Sequence, residues 1–154
     1  MRPALLNSLQ QSDRRYLSDA ELRPLAQFVT SFSSRSKAYT QLQAESETLA
    51  LNTLRRLILT HRQAVQEHGA KCQRDLLYTL ETIAKAILLD NPDGFVEEYV
   101  VWMQNITRAL HKEDAAIAAY RSLKIEIAST LSTETARLAN GYLDKLITAI
   151  ANGV

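Results

Sequence analysis

Apolar residues recur at every third or fourth position along almost the entire chain. The clearest example is the stripe formed by Leu76, Leu80, Ile83 and Ile87, which would fall on one face of a helix. Strict alternation of apolar and polar residues, the pattern of a half-buried strand, is absent, and the sequence contains no internal repeat. The pattern therefore predicts an all-α protein.

Local signals mark where one of these helices begins. Ser18 and Glu21 form a capping-box pattern, in which the serine oxygen accepts a backbone N–H and the glutamate reaches back to the serine. Pro24 falls in the first turn or just past it, where a missing N–H donor costs little. The helix that follows is predicted to place four apolar residues on one face: Leu22, Leu25, Val29 and Phe32.

The whole sequence, residues 1–154, is predicted to form one domain with about six main helices. Two of the boundaries rest on turn signals, a break at His68 and Gly69 and a turn over residues 91–94. Besides the capped helix, the predicted helical segments in chain order are one or two short helices within 3–15, then 36–65, 70–89, 95–110, 115–130 and a last helix beginning at Ser132.

Composition and charge exclude several classes of function. The 18 basic and 17 acidic residues are dispersed, which argues against a nucleic-acid-binding groove. No apolar stretch approaches the roughly 20 residues of a membrane helix, and the N-terminus does not have the pattern of a secretory signal, so a cytoplasmic location is expected. The single cysteine, Cys72, excludes an internal disulfide and a multi-cysteine metal site. No phosphate loop or nucleophile–base pattern occurs, so no catalytic residue and no enzyme activity are expected.

Three stretches, in order along the chain, resemble the phycobiliprotein family and especially its allophycocyanin-type subunits. The first is Arg15–Leu22 with the following Phe28–Ser31, the second is Cys72-x-Arg74-Asp75-Leu76-x-Tyr78-x-Leu80, and the third lies within Leu131–Asp144. The resemblance covers the chain from about residue 10 to its last helix. It implies a globin-like fold of six core helices. It also implies that an N-terminal helical extension, residues 1–17, docks on a partner subunit.

The resemblance implies a bilin, an open-chain tetrapyrrole of the phycocyanobilin or biliverdin type, as ligand. In the family, the motif cysteine forms a thioether to the first ring, the arginine pairs with a propionate, and the aspartate accepts hydrogen bonds from the two central pyrrole nitrogens. By motif position these roles fall on Cys72, Arg74 and Asp75. Tyr78 matches a family tyrosine near the chromophore. These four residues are the candidate ligand-binding residues, with the bilin held covalently or non-covalently.

The residue types suit that chemistry. Cys72 and Asp75 are three residues apart and would share a helix face. Arg74 is rotated by about 100° per residue step from either, so it could reach a propionate at the edge of a pocket, and its planar fork matches a carboxylate. An ionised Asp75 would favour a protonated, cationic tetrapyrrole in a poorly solvated site.

Alternative interpretations of the same residues remain open. Cys72 could be a buried apolar filler, and Arg74 and Asp75 could be exposed helix charges. His61 and His68 lie seven residues apart, but a metal site would need another ligand nearby, and surface histidines are the simpler interpretation. His111 is a minor candidate for haem ligation, although it stands beside the charged segment 112–114 and haem is not the expected cofactor.

One departure from the family bears on function. The segment 61–71, before the cysteine, is shorter than the loop that light-harvesting subunits carry there, which disfavours trimeric antenna assembly. The favoured hypothesis is therefore a bilin carrier or accessory protein in bilin biosynthesis, working with bilin-synthesising enzymes. The alternatives are an antenna subunit with covalent bilin and a pigment-free interaction module. Homodimerisation, or pairing with a related globin subunit, is expected through exposed apolar residues of the N-terminal helices: Leu5, Leu6, Leu9 and Tyr16.

Overall fold

A computed structural model describes residues 3–12 and 15–153, and every regular element in those ranges is helical, which confirms the all-α prediction. A π-helical segment, Phe95–Val100, joins α5 to α6 without a break. Within the described ranges, no helix is long and apolar enough to cross a bilayer. The helices are α1 (Pro3–Gln11), α2 (Asp19–Thr30), α3 (Phe32–Leu57), α4 (Arg62–Leu88), α5 (Pro92–Gly94), α6 (Val101–Ala109), α7 (Glu113–Thr130) and α8 (Thr133–Asn152).

The N-terminal helices α1 and α2 form an extension beside the main bundle. The predicted capping box is confirmed, because the Ser18 hydroxyl accepts from the Glu21 N–H and the Glu21 carboxylate accepts from the Ser18 N–H. Arg15 adds two hydrogen bonds to the same carboxylate, which helps hold the pKa of Glu21 down at about 2. Residues 1, 2, 13 and 14 of the predicted extension 1–17 lie outside the described residues. Of the apolar residues expected to be exposed there, Leu5 is instead buried.

The prediction of a single long helix over 36–65 is wrong. Helix α3 ends at Leu57, whose carbonyl accepts from the His61 N–H at 2.7 Å, and α4 begins at Arg62. This turn allows α4 to pack along α3, which is the most extensive helix–helix contact in the described fold. The expected break at His68 and Gly69 is a kink within α4, where His68 has φ −133° and ψ 18°.

The core lies between α3, α4, α7 and α8. Its fully buried apolar side chains come from all four helices and provide most of the stabilisation, roughly 1.5–3 kcal/mol for each large one. They are Leu42, Leu49, Leu80, Ile83, Ile87, Leu123, Ile127, Leu143 and Leu146.

The π-helical segment turns aromatic side chains towards this core. Phe95 and Tyr99 are both buried, with ring centroids 5.4 Å apart, and Phe95 meets Tyr142 edge-on at 5.0 Å. Trp102 follows on the outer side of Tyr99, at 6.1 Å, and is about half exposed. The segment thus forms one wall against α4, next to the motif residues.

Candidate functional site

Cys72 lies on the wall of a large cleft. The thiol is partly buried on α4, a little beyond the kink at His68. The cleft has a volume of about 1020 Å³, just above the range of roughly 300–1,000 Å³ in which proteins hold organic ligands. Its walls come from three stretches of chain: 60–72 at the start of α4, 104–117 where α6 meets α7, and 150–153 at the end of α8.

The turn between α6 and α7 shapes one side of this cleft. His111 has a positive φ of 52°, a left-handed conformation in which histidine is among the more tolerated residues other than glycine. The Lys112 N–H donates to the Thr107 carbonyl at 2.9 Å, and the Lys112 carbonyl accepts from Ala116 at 3.0 Å. The backbone of this turn is therefore held on both sides, with His111 and Lys112 both lining the cleft.

The cleft walls are rich in ionisable side chains. All three histidines of the sequence line it, and three cationic and three acidic side chains accompany them. Among the described residues, no three His, Cys, Asp or Glu side chains are grouped closely enough to hold a metal ion. The arrangement suits a polar organic molecule that carries charged or hydrogen-bonding groups. The lining groups are His61, His68, His111, Arg62, Arg108, Lys112, Glu67, Glu113 and Asp114.

The surroundings of the thiol keep it protonated. Burial raises the pKa of Cys72, and the negative charge of Asp75 raises it further. Lys112 and Lys71 oppose this shift and lower the pKa, but by less. Because the thiolate is the nucleophilic form, Cys72 is a weak nucleophile at neutral pH.

The four motif residues do not line one cavity. Cys72 faces the large cleft, whereas the half-exposed Tyr78 lines a second cleft of about 280 Å³ between α4 and the π-helical segment. Arg74 and Asp75 are exposed and line neither cleft, although Asp75 is close enough to Cys72 for its charge to act on the thiol. Their assignment to a bilin stays a prediction.

A buried cluster of hydroxyl groups lies directly behind the motif. The Tyr99 hydroxyl is 2.6 Å from that of Thr79, Tyr120 interacts with both, and Thr79 donates to the Asp75 carbonyl at 2.8 Å. Burial raises the pKa of Tyr120 to about 12 and that of Tyr99 beyond its usual range. The cluster ties α4 at Asp75 to the π-helical segment and to α7.

Neither the ionisable side chains that meet in the cleft nor the buried hydroxyl cluster is predicted from the sequence. The sequence favours surface positions for His61 and His68, and it places Lys112 in the charged segment 112–114. They meet only because three distant stretches of chain converge, and no local spacing signals that. The hydroxyl cluster joins residues 79, 99 and 120, whose separations of about twenty residues carry no motif.

Comparison with known proteins gives a consistent answer. The family model described as "Phycobilisome protein" matches residues 8–150. The allophycocyanin alpha chain of Arthrospira platensis is 29% identical over 149 residues, which span 91% of this chain and 92% of that protein. The match includes all helices of the main bundle and the cleft at Cys72 up to its last few residues.

Proposed function

This chain belongs to the phycobilisome protein family, and on that premise we propose that it binds an open-chain tetrapyrrole as a carrier or accessory protein in bilin biosynthesis. The observation that carries the proposal is the half-buried thiol of Cys72 on the wall of a cleft of about 1020 Å³. The globin-like helical frame supplies this cleft from α4, the α6–α7 turn and the end of α8. Bilin-synthesising enzymes are the proposed source of the ligand.

The charges on the cleft suit the proposed ligand. A bilin is an elongated conjugated molecule with two propionates, so it needs length, apolar contact and cations. Ile117 and Ile150 contribute apolar surface to the walls, and Arg62 and Lys112 contribute positive charge. A guanidinium or ammonium group binds a carboxylate more strongly than a neutral donor does.

Two observations favour a carrier over an antenna subunit. Burial and the negative charge of Asp75 raise the pKa of the Cys72 thiol, which disfavours spontaneous thioether formation. In the described chain, the connection between α3 and α4 is only the short turn 58–61, so α4 begins at the cleft without a long covering loop. A ligand held without a covalent bond and without a cover can be passed on.

The second candidate is an antenna subunit with a covalently attached bilin. The similarity to the allophycocyanin alpha chain of Arthrospira platensis over 91% of the chain favours it, together with a cysteine at the motif position. In both candidates the pigment lies beside Cys72. They differ in whether a covalent bond joins the pigment to the thiol. The third hypothesis, a pigment-free interaction module, predicts no pigment at all.

A pigment-loading experiment separates the three. The chain is produced alone and with a bilin-producing pathway, purified, and its visible absorbance recorded before and after denaturation and separation from free pigment. We expect visible absorbance that is lost on denaturation, in the wild type and in Cys72→Ala alike. Pigment that survives denaturation in the wild type but is absent from Cys72→Ala would instead establish the antenna type of attachment. A colourless wild-type protein would overturn bilin binding altogether, and a Soret band after adding haem would point to haem.

A further inference from the structure

We infer that Lys112, on the turn between α6 and α7, supplies the positive charge that binds a propionate of the tetrapyrrole held beside Cys72. This inference rests on the proposed function and assigns the carboxylate contact within the same cleft. It differs from the motif-based expectation, which gave that contact to Arg74.

The position of Lys112 is the first support. Lys112 and Cys72 line the same cleft from different walls, one on the α6–α7 turn and the other on α4. The lysine is close enough for its charge to lower the pKa of the thiol. A ligand that contacts Cys72 therefore lies within reach of the Lys112 ammonium group.

The availability of the charge is the second support. Two other lysines of the chain are paired, Lys85 with Glu81 at 2.6 Å and Lys124 with Asp144. Among the described residues, the Lys112 side chain has no ion-pair partner, although Glu113 and Asp114 follow it directly. Because this cation faces the cleft without a carboxylate partner, it can bind a carboxylate of the ligand without first breaking an existing ion pair.

The turn itself is the third support. The hydrogen bonds on both sides of Lys112 and the left-handed conformation of His111 fix the backbone from which the lysine extends. Only the side chain needs to move when a ligand enters, so little backbone ordering opposes binding. Arg74, by contrast, is exposed on α4 and lines neither of the two clefts.

The second propionate has a candidate on the opposite side. Arg62, in the first turn of α4, also lines the cleft and has no ion-pair partner among the described residues. A dicarboxylate would then be held from two walls, by Lys112 on one and Arg62 on the other. The inference stands on Lys112 and is tested there.

The test measures the affinity of the full chain for biliverdin and for biliverdin dimethyl ester, in which both carboxylates are masked. Lys112→Gln is compared with the wild type and with a matched control, Lys145→Gln on the exposed face of α8. We expect Lys112→Gln to weaken biliverdin binding about tenfold or more and to leave binding of the ester nearly unchanged, because it removes one charge-assisted contact. The Lys145→Gln control should bind biliverdin like the wild type.

The possible failures are distinguishable. Equal biliverdin affinity for the wild type and Lys112→Gln overturns the inference alone and leaves bilin binding intact. An equal loss for biliverdin and the ester also overturns it, because that pattern would reflect altered shape and not a carboxylate contact. A wild-type chain that binds neither pigment overturns the proposed function and this inference together. Far-ultraviolet circular dichroism verifies that each variant is folded.

Discussion

Three buried hydroxyl groups, on Thr79, Tyr99 and Tyr120, hold the helix turn that presents Asp75. The hydrogen bond from Thr79 to the Asp75 carbonyl and the contacts among the three hydroxyls satisfy polar groups that would otherwise be costly to bury. The same burial disfavours the phenolate form of both tyrosines. The cluster therefore makes the stability of the fold sensitive to alkaline pH.

The direction of that sensitivity follows from the raised pKa of both groups. Tyr120 has a pKa of about 12 in the folded chain, against 10.0 when exposed, and the pKa of Tyr99 is raised more. The neutral tyrosines stabilise the fold fully below pH 10, and this contribution is lost as pH rises towards and through the folded-state values. We expect the free energy of unfolding to decline above about pH 10. Urea titrations at a series of pH values measure it.

The control for this prediction is a chain without the two phenols. In the double variant Tyr99→Phe, Tyr120→Phe we expect lower stability at pH 7, by about 1–3 kcal/mol for the lost hydrogen bonds, and a shallower decline above pH 10. Equal slopes above pH 10 in the wild type and the double variant would show that the cluster does not cause the decline.

The sequence motif predicts only part of the candidate site. Cys72 could be found because its neighbours follow a known order, and it does line the large cleft. Lys112 and the histidines could not be found, since their proximity depends on the kink at His68 and the left-handed turn at His111. Gly69 signals the break at His68, but the left-handed turn at His111 has no glycine or proline beside it to signal it.

Arg35 connects the start of α3 to the end of α4. Its guanidinium is buried, donates to the Phe28 carbonyl at 2.6 Å and to the Leu88 carbonyl, and lies 4.2 Å from the centre of the Phe28 ring. The Leu88 carbonyl ends α4 and has no partner within that helix, so a cation there also offsets the negative end of the helix dipole. One side chain thus joins α2, α3 and α4.

Removing this side chain should loosen the junction. We expect Arg35→Ala to lower the free energy of unfolding by about 2–4 kcal/mol, because it leaves two carbonyls without their charged donor and removes the contact with Phe28. Chemical denaturation followed by circular dichroism measures the change. Arg23→Ala, at an exposed position on α2, is the matched control and should cost less than about 0.5 kcal/mol. A similar effect for both variants would contradict the role given to Arg35.

The elements themselves were predictable where periodicity and capping agree. The capping box at Ser18 and the stripe on α4 gave correct helices, because both depend on neighbours along the chain. The turn after Leu57 was not predictable, since Ile58 and Leu59 continue the apolar pattern of α3 although both are exposed. Helix α3 ends there because α4 packs along it. This is a tertiary effect, and no residue near Leu57 in the sequence signals it.

Across the whole molecule, the N-terminal segment 6–32 is one of the regions that expose several large apolar side chains. Helices α1 and α2 pack on each other, with limited contact between α2 and the start of α3. Val29 is 64% exposed and Tyr16 98% exposed, and four other large apolar residues of this segment are also exposed. Such a patch on one extension is typical of a surface that contacts another protein. The exposed members are Leu6, Leu9, Tyr16, Leu22, Val29 and Phe32.

The partner expected for this patch is a second globin-like subunit, and in a preparation of the chain alone that is a second copy. A charged residue in the middle of such a surface would lose its hydration on association without gaining a partner. We expect Val29→Glu to weaken self-association about tenfold or more, measured as mass against concentration by sedimentation equilibrium.

Ile125→Glu, at a half-exposed apolar position on α7, is the control and should associate like the wild type. Since Val29 is mostly exposed and lies outside the core cluster, Val29→Glu should keep the wild-type unfolding midpoint at concentrations where both chains are monomeric. A wild-type mass that stays monomeric, or that is unchanged by Val29→Glu, would remove the N-terminal helices as the self-association surface without affecting the cleft at Cys72.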